Sequence, residues 1–260
     1  MNNVVLGHGI GLCALLFAVI AGPTRAADWD HVHILAPDTK AAADWYARTF
    51  GGQVTKAGPF DAVLYGDNLV KFRQSTPETK PSEGSSIDHI GFSVPDLAAK
   101  MAEFKAAGVK VTGEIKNVPA GGFSYAFVED PWGTKIELLD DKDLIGFHHV
   151  HLRSPDPAAT VKWYADQFGG EPTTFKGLAP ISGIRYGKMW LLVGKAEKVD
   201  GSVGHSVDHV GWKFTDLDGA IKHLHDINTE FVPSQAAGAP TYVLGPDKVK
   251  IEVVKAGAAH

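Results

Sequence analysis

The chain has 260 residues, 44% hydrophobic and 21% charged, a globular composition long enough to bury a sizeable core. Net charge is −5, from 25 basic and 30 acidic residues, with no basic block or stripe, so no nucleic-acid partner is expected. Cys13 is the only cysteine and lies near the N-terminus, so disulfides, thiol nucleophiles and thiolate metal ligands are excluded from the rest of the chain.

The first feature in chain order is an uncharged apolar run, "GIGLCALLFAVIAG" (Gly9 to Gly22), followed by "PTRAAD". It is short for a spanning helix and is closed by small residues, which predicts a signal peptide over residues 1–26 with cleavage near Ala26. The alternative is a retained membrane anchor. Signal removal implies a periplasmic or secreted protein with no stable membrane insertion. It also takes Cys13 away, which suits an oxidising compartment.

Beyond it the chain repeats itself. His31, His89, His149 and His209 are spaced by 58, 60 and 60 residues, and seven residues after each comes Asp38, Asp96, Asp156 or Asp216. The residues before each aspartate alternate like a half-buried strand. Each aspartate is a good helix N-cap, and the stretches that follow ("TKAAADWYARTFGG", "LAAKMAEFKAAGV", "PAATVKWYADQFGG", "LDGAIKHLHDINTEF") carry helical periodicity. Short strands with Gly and Pro turns come next, "TKIELLD" and "VKIEVVK" being the clearest. Each unit therefore reads strand, helix, then about three strands.

Units one and three match at an offset of 118, and units two and four at 120 and later 115. This predicts a duplicated two-unit domain, with halves over residues 28–142 and 146–256 and a boundary in "LDDKDLIGF". Trp45 and Trp163, on the first and third helices, are expected in the core.

Residues i and i+2 of a strand share a face. If the two units of each half pair symmetrically, His31, His89 and Glu137 converge, and His149, His209 and Glu252 form the second set. Two imidazoles and one carboxylate on one side of a metal leave open positions opposite, which suits a divalent ion such as Fe, Mn, Ni or Zn. A second histidine follows two residues later in units one and three, His33 and His151, where the paired units have Gly91 and Gly211. These two histidines are candidate acid–base or substrate-orienting groups; the alternatives are a fourth metal ligand or a group that hydrogen-bonds a ligand from behind. Arg153 and Lys213 continue the same alternation in the second half and are candidate binders of an anionic substrate. They point to the second half as the seat of turnover.

The stretches "DHIGFSVPDL", "DWYARTFGG", "KWYADQFGG" and "AFVEDPWGTKIELL" resemble the vicinal oxygen chelate superfamily, which includes glyoxalases, bleomycin- and fosfomycin-resistance proteins and extradiol dioxygenases. The resemblance covers residues 28–255. It implies an α+β fold of four βαβββ modules, paired into two cup-shaped mixed-sheet domains with one divalent metal ion per pair. Lactoylglutathione lyases bring a second glutamate from the other module's last strand; "GDNLVKFRQ" and "YGKMWLLVG" contain none. Extradiol enzymes carry a tyrosine where Tyr242 stands, but also a histidine from the middle strands of the same domain, which has no counterpart here. The expected function is an exported metal-dependent lyase or isomerase acting on a small molecule with vicinal oxygens. An extradiol-type dioxygenase and a non-catalytic binding or resistance protein are the alternatives. Oligomeric state is not legible.

Overall fold

The computed structural model describes residues 27–178, 181–233 and 240–257. The expected signal peptide, residues 1–26, lies outside them. No helix among the described residues is long and apolar enough to cross a membrane.

Four modules follow one another. The first contains β1 (Ala27–Ala36), α1 (Thr39–Phe50), β2 (Gln53–Ala57), β3 (Phe60–Tyr65) and β4 (Asn68–Gln74). The second contains β5 (Ile87–Ser93), α2 (Leu97–Ala106), β6 (Lys110–Val118), β7 (Phe123–Glu129) and β8 (Lys135–Leu139). The third has β9 (Gly146–Ser154), α3 (Pro157–Phe168), β10 (Glu171–Thr174), β11 (Ser182–Tyr186) and β12 (Met189–Lys195). The fourth has β13 (Val207–Phe214), α4 (Leu217–Asp226), β14 (Glu230–Val232), β15 (Thr241–Leu244) and β16 (Lys250–Lys255). Every helix starts at its predicted cap: the carboxylates of Asp38, Asp96, Asp156 and Asp216 accept from the backbone N–H three residues on, at 2.9, 2.9, 3.1 and 2.9 Å.

The modules form two mixed eight-stranded sheets, ordered β14-β15-β16-β13-β1-β4-β3-β2 and β10-β11-β12-β9-β5-β8-β7-β6. Module one therefore pairs with module four, and module two with module three. This corrects the expectation that residues 28–142 and 146–256 each close their own cup. The linkers 75–86 and 196–206 cross between the sheets side by side, bound by Ser86 N–H to Asp200 O (2.7 Å), Lys80 N–H to Gly204 O (3.0 Å) and Ser206 N–H to Lys80 O (2.8 Å). Crossing together satisfies backbone groups that a lone linker would leave to water.

The halves survive in the core. Phe50 of module one stacks on Phe92 of module two with centroids 4.0 Å apart, and Phe168 of module three stacks on Trp212 of module four at 4.5 Å. Trp45 and Trp163 pack against this core, as expected. Each half shares its aromatic packing, and each sheet is shared between halves.

One buried contact between modules one and two is pH-sensitive. The Tyr46 hydroxyl donates to Asp130 Oδ2 at 2.8 Å, and burial raises the Asp130 carboxyl to about 6. A raised carboxyl favours the protonated fold, so its contribution is complete below pH about 4 and is lost as pH climbs through about 6. Asp130→Asn should remove this pH dependence. Melting scans should show the difference in melting temperature, variant minus parent, growing between pH 4 and 7.

Candidate metal centres

The four ligand strands meet in two antiparallel pairs. Between β1 and β13, His31 faces Gly211 and His33 faces His209; between β5 and β9, His149 faces Gly91 and His151 faces His89. Register shifts leave Asp30, Asp208, Asp88 and His148 as bulge residues, each just before a ligand-position histidine. A bulge lets successive side chains aim at the same side of the sheet. Asp30, Asp88 and Asp208 thereby reach the Nδ1 of His31, His89 and His209, each at 2.6 Å. Such carboxylates fix the ring and turn Nε2 toward the site.

Two donor clusters result: His31, His33, His209 and Glu252 (site I), and His89, Glu137, His149 and His151 (site II), with one ligand atom per residue all within 4.8 Å of one another. In site I, Glu252 Oε2 lies 3.2 Å from both His31 Nε2 and His209 Nε2, and His33 Nδ1 lies 2.9 Å from His209 Nε2. In site II, Glu137 Oε2 lies 3.0 Å from His89 Nε2 and 3.5 Å from His149 Nε2. The predicted residues are all present but regrouped: His31 meets His209 and Glu252, not His89 and Glu137, and His149 meets His89 and Glu137. The physical reason is the sheet pairing.

The second histidines have a structural logic that the register reveals. Glu137 pairs with Gly91, and Glu252 with Gly211. The same position on the last strand of module one is Lys71, paired with His33, and of module three Leu192, paired with His151. Where the last strand lacks a carboxylate, the first strand adds an imidazole.

These clusters fit a divalent ion. Nε2 of His31, His33 and His149, and both ring nitrogens of His151, are buried without a hydrogen-bond partner. Each orphaned buried polar group costs about 1–3 kcal/mol, and a shared cation would offset that cost. Burial would raise the carboxyls, but the imidazoles of His209 and His31 hold Glu252, and those of His149 and His89 hold Glu137, well below the usual carboxylate range. Burial, then neighbouring imidazoles, pushes His33 and His151 well below the ordinary histidine value, and burial takes His149 down to about 4. These rings are neutral at physiological pH, as metal donors must be.

Of the other candidates, Arg153 lies at site II, bordering a cavity of about 490 Å³ that reaches His89, Glu137, His149 and His151. Lys195 shares its polar side, and Phe123, Tyr125, Phe127, Phe175 and Leu192 form apolar walls. Tyr242 lies at site I instead, facing Glu252 across β15 and β16 and edge-on to His209 at 5.2 Å. Lys213 joins neither site: it pairs with Asp28 and Val254 and lines a separate cleft with Arg185 and Lys188. Its alternation is right, but β13 runs antiparallel to β1, so Lys213 lies beyond the Gly211–His31 pair, level with Asp28, and not at the end where His33 and His209 face each other. The grouping of Arg153, Lys213 and Tyr242 around one centre is thus corrected.

Sequence reasoning missed the aspartates behind the rings, although "DH" recurs at Asp30, Asp88 and Asp208. It also missed Ser82 and Ser202. Their hydroxyls donate to Asp88 O and Asp208 O (2.8 and 2.7 Å) and accept from Lys135 N–H and Lys250 N–H (both 2.9 Å), tying first strand to last.

Parts of this chain match known proteins. Residues 29–138 match the Glyoxalase/Bleomycin resistance protein/Dioxygenase superfamily. The chain is 28% identical to a lactoylglutathione lyase of Escherichia coli O157:H7 over 124 residues, covering 44% of this chain and 92% of that protein. A Haemophilus influenzae lactoylglutathione lyase is 40% identical over 63 residues, 24% of this chain and 47% of that protein. Among solved structures, the V278E mutant of glyoxalase I from Zea mays superposes with a TM-score of 0.70 at 18% identity, covering 88% of this chain and 92% of that one. The match to that superfamily is carried by residues 29–138, and the fold shared with glyoxalase I, together with the internal repeat, extends the same module pattern through the other described residues.

Proposed function

We propose that the chain is a divalent-metal-dependent enzyme of lyase or isomerase type, and that site II carries its turnover. The observation that carries this reading is the cavity that opens onto His89, Glu137, His149 and His151. Its size suits a small molecule. Its apolar walls suit an apolar body, and Arg153 and Lys195 suit an anionic end. A divalent ion bound there supplies Lewis-acid polarisation to adjacent substrate oxygens. His89, Glu137 and His149 hold it, while His151, buried and unbonded at both nitrogens, takes and returns a proton. The lactoylglutathione lyase relatives support the lyase or isomerase class. Extradiol cleavage draws less support, because the tyrosine that favoured it stands at site I and Phe127 holds the matching place at site II.

Site I serves structure in this reading. His33 is held against His209 and packs edge-on to Phe60 at 4.7 Å, and the buried ammonium groups of Lys71 and Lys250 lie 3.5 and 2.7 Å from Asp30 and Asp208.

The test is His151→Ala, with metal content and turnover measured on the same preparation. Retained metal with turnover down about 10²- to 10⁴-fold is expected for a lost acid–base group. Loss of metal would make His151 a fourth ligand and sink its proton-transfer role. The apolar run before Arg25 supports export of the enzyme from the cytoplasm. Sequencing the N-terminus of exported protein should find Ala27, and an intact Met1 on membranes would refute export.

A further inference from the structure

Three of the four ligand-position histidines lean on a carboxylate one residue earlier; the fourth, His149, does not. At that bulge stands His148, fully buried, with its Nδ1 2.9 Å from His149 Nδ1 and its Nε2 3.2 Å from Asp141 Oδ2. Asp141 is itself buried, and its other oxygen binds Lys176 Nζ at 2.8 Å.

With both rings neutral, the hydrogen-bonding inventory assigns the protons. An ionised carboxylate only accepts, so His148 carries its hydrogen on Nε2 and donates to Asp141. A neutral ring then has only an acceptor at Nδ1. The 2.9 Å contact therefore requires His149 to donate from its own Nδ1, which leaves the His149 Nε2 lone pair facing Glu137 and His89. The opposite tautomer would put a hydrogen on Nε2, where the ion must bind.

We infer that His148 is the positioning residue of site II: the chain Asp141–His148–His149 does through an interposed imidazole what Asp30, Asp88 and Asp208 do directly. It orients the His149 ring, fixes its tautomer and couples it to a charge that Lys176 holds in place. The inference rests on the reading that site II binds metal.

The test uses the full chain carrying Glu252→Ala, so that only site II counts, and titrates Zn(II) against a chromophoric chelator. Adding His148→Leu, which keeps bulk against Phe175 but offers no acceptor, should weaken zinc binding about 10- to 100-fold. Adding His148→Gln instead should recover most of that loss, because its amide oxygen accepts from His149 and its NH₂ donates to Asp141. Melting of the metal-free proteins verifies folding. If His148→Leu binds zinc as the Glu252→Ala parent does, or if Gln is no better than Leu, the positioning role is overturned. If the parent itself takes up no zinc, the metal reading of site II falls and this inference with it.

Discussion

Glu137→Ala should abolish turnover and remove the metal of site II, while Glu252→Ala should lose the other metal and keep most of the activity. Each glutamate is the only carboxylate in its donor cluster. Removing either leaves only imidazole donors, which bind a divalent ion far more weakly than a set that includes an anion. The two losses differ in consequence because the cavity reaches Glu137, whereas at site I the rings of Phe60 and Tyr242 pack edge-on against His33 and His209. Metal analysis and steady-state rates on both variants decide the matter. A dead Glu252→Ala enzyme beside an active Glu137→Ala enzyme would move the chemistry to site I. Equal partial losses would mean two working centres.

Sequence alone assigns turnover to the half that contains His149, His209 and Glu252. That assignment depends on which modules pair, and pairing is the least legible property of this chain. The four modules present near-equivalent edges: β1 and β5 both start at a histidine strand, and both accept an antiparallel partner through the same His-to-Gly or His-to-His register. Exchange of equivalent elements between repeats costs little intrinsically. What distinguishes the arrangements is remote from the ligands: two linkers that run side by side, and aromatic contacts that keep each half together beneath both sheets. No periodicity in the strands encodes either.

Local features are a different case. The caps, the helices and all six ligand positions follow from short-range chemistry, and each is where the repeat places it. Arg153 sits at a centre because β9 carries it there two residues past His151, whereas Lys213 shows the limit of alternation as a guide. The bulges at Asp30, Asp88, His148 and Asp208 also escaped the period-two reading. A strict alternation would send these residues to the face opposite their histidines, and only the inserted residue brings them back. The dipeptide "DH" in modules one, two and four, against "HH" in module three, was the available signal.

Gly91→Ala should cost the protein one metal equivalent while leaving it folded. Gly91 faces His149 across β5 and β9, and a Cβ built there would lie 2.0 Å from His149 Cε1 and 2.2 Å from Nδ1. No real contact is that short, so something must move. The backbone is pinned by the strand pairing on both sides of β5, and the imidazole is the movable partner. It is also enclosed by His148, His89 and His151, so it cannot slide aside and still present Nε2 to Glu137. The methyl group therefore acts on the ligand more than on the fold. Overpacking of this kind typically costs about 1–3 kcal/mol of stability, which a two-sheet protein of this size should survive. Gly211→Ala is the matched control, with a Cβ 2.3 Å from His31 Cε1, and should spare site II while emptying site I. Metal stoichiometry should fall by one equivalent in each variant, with turnover lost only in Gly91→Ala. If Gly91→Ala keeps its full metal complement, the His149 ring has room that this packing denies, and the glycines are needed for strand geometry alone.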